Sequence, residues 1–133
     1  MVDRPGLSKA ETEVARIVWE TGQATVREVH ERLQAEKAVE FSTVQTYLRR
    51  LEQKGYLKVK LEGRSRVYSP RVRPQTVIRE TVNDLVDRLF GGDSLPLMMH
   101  LIEEHSVKSD QLQELRAMID RLQEDDDAEG GRS

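Results

Sequence analysis

The chain has 133 residues with no cysteine, 5% aromatic and 34% charged side chains, which excludes disulfides, thiolate metal sites and cysteine nucleophiles and argues against one large self-contained core. Its net charge of −3 is uneven, with 15 basic and 10 acidic side chains in residues 1–73 against 6 and 14 in residues 74–133, so an acidic total does not exclude nucleic acid, which responds to the local field. No stretch is long and apolar enough to cross a bilayer, and residues 1–11 hold no apolar signal core, so a cytoplasmic protein without direct membrane association is expected.

Three helix starts carry the reciprocal capping pattern of Ser or Thr followed three residues later by Glu or Gln: Ser8 with Glu11, Thr25 with Glu28, and Ser42 with Gln45. The first helix is predicted over residues 8–20, with Leu7, Val14, Ile17 and Val18 on one side and Gly22 as its stop. The second starts near Thr25 and buries Val26, Val29 and Leu33. In the connector over residues 35–41, Val39 and Phe41 alternate with Glu40 and read as a short edge strand. The third helix spans residues 42–54, turns Val44, Tyr47, Leu48 and Leu51 inward, and stops at Gly55.

After Gly55 the apolar period changes from helical to two. Leu57, Val59 and Leu61 alternate with Lys58, Lys60 and Glu62, Gly63 takes the turn, and Val67 and Tyr68 lie on the return strand. Three helices and a hairpin in this order make a winged helix-turn-helix. From Ser42 to Arg73 there are nine Lys or Arg against two acids, Glu52 and Glu62. The outer face of helix three presents Ser42, Thr43, Thr46, Arg49 and Arg50, with Gln45 serving either the cap or a base. Short hydroxyls suit close approach to base edges, and the helix N-terminus suits a phosphate. Thr43 and Thr46 are assigned to bases, and Arg49, Arg50, Arg64 and Arg66 to phosphates, with Lys58 and Lys60 as further phosphate contacts.

The remaining residues read as three helices. One spans residues 75–90, with Ile78, Val82, Leu85 and Leu89 at steps close to a heptad seam, and Gly91-Gly92 ends it. Ser94 is placed to cap a short helix with Pro96 in its first turn, carrying Leu97, Met98, Leu101 and Ile102. A last helix over residues 109–123 repeats Leu112, Leu115, Ile119 and Leu122, and residues 124–133 form an acidic tail expected to be disordered. These stripes are too narrow to bury themselves, so a homodimer through Ile78, Val82, Leu85, Leu89, Leu97, Leu101, Leu112, Leu115, Ile119 and Leu122 is expected. The alternative is a monomer in which they pack back on the winged helix. The fold class is thus mainly α with a small β-hairpin: a winged-helix DNA-binding domain (1–73) followed by a helical dimerisation domain (74–123).

The runs LSKAETEVARIVWETGQATVREVHERL, FSTVQTYLRRLEQKGYL, GRSRVYSP and LFGGD resemble the penicillinase-repressor (BlaI/MecI) family over roughly residues 6–123. The resemblance implies a repressor of resistance genes, often for β-lactamase or penicillin-binding proteins, whose first domain binds operator DNA and whose second dimerises. It also implies an upstream membrane sensor-protease and cleavage within the dimerisation helices. Where staphylococcal members carry an Asn-Phe bond, this chain carries His100-Leu101. Copper-responsive members carry a cysteine cluster that is missing here, which excludes a thiolate-bound metal switch.

No Gly-rich phosphate loop, nucleophile elbow or acid–base pair supports an enzyme. His100 and Glu104 share a helix face, but the spacing of His100 and His105 is not that of a paired ligand site, so neither metal nor cofactor is expected. The leading expectation is a dimeric repressor on a palindromic operator. The same patterns also fit a winged-helix module docking an acidic protein, and a DNA binder without sequence choice.

Overall fold

Each of the first two helices starts where its side chains close a ring of hydrogen bonds. In the computed structural model, which describes residues 4–130, the backbone of Glu11 donates to Ser8 Oγ (3.1 Å) and that of Ser8 to Glu11 Oε1 (2.8 Å), opening α1 (Lys9–Thr21). Thr25 and Glu28 open α2 (Val26–Gln34) in the same way, at 3.2 and 3.0 Å. Such a cap stabilises a helix by about 1 kcal/mol.

The third start differs from the sequence expectation. α3 (Phe41–Gln53) begins one residue before Ser42, and its cap residue, Glu40, makes no side-chain cap bond. No strand forms at Val39–Phe41. Tertiary contacts set this start instead. His30 Nε2 donates to the Val39 carbonyl (2.8 Å), and its ring meets Phe41 edge-on at 5.5 Å between centroids. The third strand is β1 (Ala24–Thr25), which lies between α1 and α2 and is too short to show a period.

Gly55, at φ +90°, ends α3 in a conformation that a side chain would strain. The chain then forms β2 (Leu57–Glu62) and β3 (Ser65–Pro70), turning at Gly63 with φ +63°. The sheet order is β1-β3-β2, antiparallel throughout, with Leu57 opposite Pro70, Val59 opposite Tyr68 and Ala24 opposite Tyr68 on its other side. Val14 and Val18 of α1, Val29 and Leu33 of α2, Val44, Leu48 and Leu51 of α3, and Leu57 and Tyr68 of the sheet share one core. Tyr47, predicted inward, is only half-buried.

Among the described residues one carboxylate is buried against this core. Glu11 is 2% exposed and takes a hydrogen bond from Lys54 Nζ (2.7 Å), while its Oε2 accepts none. Burial pushes its pKa up, but the bonds from Lys54 and Ser8 together with the Lys54 charge outweigh it, and the carboxyl titrates below its ordinary 4.5. The stabilisation is therefore complete above pH 4.5 and is lost as pH falls through the lower folded value. Glu11→Ala should destabilise the fold by about 2–4 kcal/mol at neutral pH. Urea unfolding followed against pH should show the gap to wild type closing under acid, and a gap independent of pH would contradict this account.

The chain divides after Thr81 into two compact units. The first extends beyond residue 73 because Val77, 4% exposed, joins its core and Glu80 pairs with Arg4. That stretch is the start of α4 (Pro74–Phe90). The second unit contains α5 (Leu95–Glu104) and α6 (Ser109–Gly130), neither of which buries a residue. Ser94 precedes α5 without a side-chain cap bond, and Asp93 Oδ1 accepts from the Leu95 N–H (3.1 Å). α6 continues past residue 123 to Gly130, as no helix-breaking residue intervenes. Residues 131–133 of the acidic tail lie outside the described residues.

Candidate nucleic-acid interface

Helical periodicity divides α3 into two faces. Val44, Leu48 and Leu51 are fully buried, while Ser42, Thr46, Arg49 and Arg50 are exposed and Thr43 and Gln45 are half-buried at the border. The side chains nominated for DNA on this helix therefore stand together on its outer side. Local bonds refine what each can do. Thr46 Oγ1 donates to the Ser42 carbonyl (3.0 Å), so its proton is committed and its oxygen lone pairs and methyl remain. The Gln45 amide is not used as a cap and makes no hydrogen bond among the described residues, leaving its donors and acceptor open. The N–H groups of Phe41 and Ser42 begin the helix without partners among the described residues, an arrangement that suits an anion.

The cations form a second feature. Arg49, Arg50, Lys58, Arg64 and Arg66 have no carboxylate within 4.0 Å among the described residues, and Lys60 reaches Glu62 only at 3.9 Å. On the scaffold, by contrast, Arg32 meets Glu20 at 2.6 Å and Lys37 pairs with Glu13, whose carboxyl that hydrogen bond holds below its ordinary range. Lys54, part of the same basic run, is also structural, bound to Glu11 and to the Gly6 carbonyl (3.0 Å). Arg50 is steadied by the Tyr47 ring, 5.9 Å from its guanidinium carbon to the ring centroid.

The hairpin separates residues that the sequence lists as one basic wing. Directly opposed residues of an antiparallel pair share a face. Arg66 opposes Leu61 and so lies on the side of Leu57 and Tyr68, the side packed on α3, with Arg64 in the turn beside it. Lys58 and Lys60 oppose Ser69 and Val67 on the other face. Arg66 is thus grouped with the α3 surface, Lys58 and Lys60 are not, and Arg64 lies in the turn between the two faces. Phe41, which the sequence reading gave to a strand, adds a 43% exposed ring at the first turn of α3.

Among the residues nominated for dimerisation, Ile78, Val82, Leu85, Leu89, Leu101, Leu112, Leu115, Ile119 and Leu122 are 37–71% exposed, and Leu97 is half-buried. His100 and Leu101 lie exposed within α5. Among the described residues no group of His, Asp or Glu is placed to hold a metal, and no helix is long and apolar enough to cross a membrane.

The penicillinase repressor family matches residues 7–121. The chain is 27% identical over 116 residues to the penicillinase repressor of Bacillus licheniformis, covering 87% of this chain and 91% of that one. It is 24% identical over 115 residues to the methicillin resistance regulatory protein MecI of Staphylococcus aureus (strain N315), covering 86% and 94%. The solution structure of the DNA binding domain of the repressor BlaI superposes with a TM-score of 0.50 at 35% identity, covering 56% of this chain and 90% of that one. A winged helix with an unpaired basic face, matched along nearly its whole length by these proteins, places the chain in the penicillinase repressor family: it is a transcriptional repressor, not an enzyme.

Proposed function

We propose that the protein works as a homodimer on a palindromic operator, one α3 in each half-site, and represses genes of antibiotic resistance or a related stress response. The observation that carries this is the outer face of α3, where the Ser42 and Thr43 hydroxyls, the Gln45 amide and the Arg49 guanidinium stand together without hydrogen-bond partners among the described residues, and Thr46 keeps its lone pairs and methyl. Gln45, Thr43 and Thr46 read bases, Thr46 as an acceptor and through its methyl. Ser42 and the first N–H groups of α3 hold a phosphate, as do Arg49, Arg50, Arg64 and Arg66. Lys58 and Lys60, on the other face of the hairpin, add to the positive field more than to direct contact. The uncovered apolar residues of α4, α5 and α6 support pairing with a second copy, because a single chain leaves them in water. Relief by a membrane sensor-protease cutting at His100-Leu101 requires α5 to unwind locally at that bond.

Binding of the full chain to a duplex from its own promoter tests this. Affinity should fall steeply with salt, with a log–log slope of about −0.9 per phosphate contacted. Equal affinity for a scrambled duplex at the same salt concentration would overturn sequence-specific repression.

A further inference from the structure

Several contacts converge where the segment before α1 passes the end of α3 and the start of α4. Arg4 Nη2 donates to both carboxylate oxygens of Glu80, at 3.0 and 2.7 Å. The same guanidinium lies over the Tyr56 ring, 5.7 Å from its centroid. Tyr56 Oη donates to the Pro5 carbonyl (2.5 Å), and Lys54 Nζ holds the Gly6 carbonyl (3.0 Å). A Cβ built on Gly55 would meet Arg4 Cδ at 3.7 Å, so the arginine stem lies directly on the turn that ends α3.

Glu80 follows Val77 by three residues, and residues at that spacing share a helix face. α4 is therefore held to the winged helix at two points, the buried Val77 and the ion pair with Arg4. A single apolar contact leaves a helix free to pivot, and a second contact one turn on removes that freedom. Arg4 and Glu80 are only 22% and 33% exposed, so water and salt weaken this pair less than a fully exposed one. α4 then runs unbroken to Phe90 and carries Ile78, Val82, Leu85 and Leu89.

We propose that Arg4, Tyr56 and Glu80 are positioning residues: they fix the bearing of α4 on the winged helix and so set the half-site separation that a dimer accepts. The proposal rests on the dimeric reading above. For a symmetric DNA binder that separation is a geometric property of the protein, independent of base contacts. None of the three residues belongs to the α3 surface, so they act on spacing and not on half-site recognition.

The test uses the full chain, with Arg4→Met and Glu80→Gln as disruptive variants and Arg4→Lys as the conservative one. The duplexes carry either one half-site or two half-sites whose separation changes by single base pairs. Half-site affinity should stay within about twofold of wild type. Affinity for the best two-site duplex should fall about tenfold, a typical size for loss of a coupled contact, and the dependence on separation should flatten. Arg4→Lys should recover part of the spacing preference. Equal losses on half-site and full-site DNA would mean a folding role only and would overturn the proposal, as would an unchanged spacing profile. If wild type itself shows no preference for two half-sites, the dimeric reading is what fails. The clasp is then decided by amide exchange at residues 76–81: faster exchange in both disruptive variants supports it, and unchanged protection overturns it.

Discussion

Replacing Arg49 and Arg50 together by alanine should weaken operator binding by at least about a hundredfold at moderate salt, and should reduce the salt slope by about 3.6, because the proposed dimer loses two phosphate contacts from each protomer. Both guanidiniums are exposed on α3 with no carboxylate to satisfy them, so their removal leaves the core and the ion pairs of the scaffold intact. The loss should be nearly uniform across operator variants, because phosphate contacts position the protein without reading sequence. Fluorescence anisotropy titrations at several salt concentrations measure both quantities. Unchanged affinity in the double variant, with loss of a protein partner, would shift the reading to a protein-docking winged helix.

The second large effect lies at the other end of the chain. Leu115→Asp, or Leu85→Asp, should raise the dimer dissociation constant by at least about a hundredfold, since a carboxylate buried without a partner costs several kcal/mol. In a single chain Leu115 is 37% exposed and Leu85 39%, so the melting of the winged helix should hardly change. Sedimentation velocity separates the two outcomes. A variant that stays dimeric at low micromolar concentration would show that these residues face water in the assembly and that the proposed surface is wrong.

Much of the candidate site was legible because its signals are local. Buried residues at helical spacing left Ser42, Thr46, Arg49 and Arg50 no side but the outer one. Alternation after Gly55 and the turn at Gly63 gave the hairpin. The misreadings share a different cause. Ser42 with Gln45 satisfied the capping pattern, yet His30 took the Val39 carbonyl and started α3 at Phe41. Ser94 stands in the cap position, but its backbone is already helical (φ −79°, ψ −19°) and Pro96, the second helical residue, has no N–H to offer. In both places the residue types of the pattern are present without the extended backbone that a cap needs, Ser42 inside the helix and Ser94 already helical.

Sequence alone determined what depends on neighbours within a turn or a pleat: six helices, a hairpin, a basic run over the third helix and the hairpin, and apolar stripes with too little bulk to bury themselves. Tertiary structure decided what depends on residues far apart in the chain. It paired Lys54 with Glu11, 43 residues away. It placed β1 against β3, separated Arg66 from Lys58 and Lys60, and joined Arg4 to Glu80 across 76 residues. The physical reason is that such pairs carry no period. An ion pair or a two-residue strand requires only that two groups meet, and only the closing of the core brings them together.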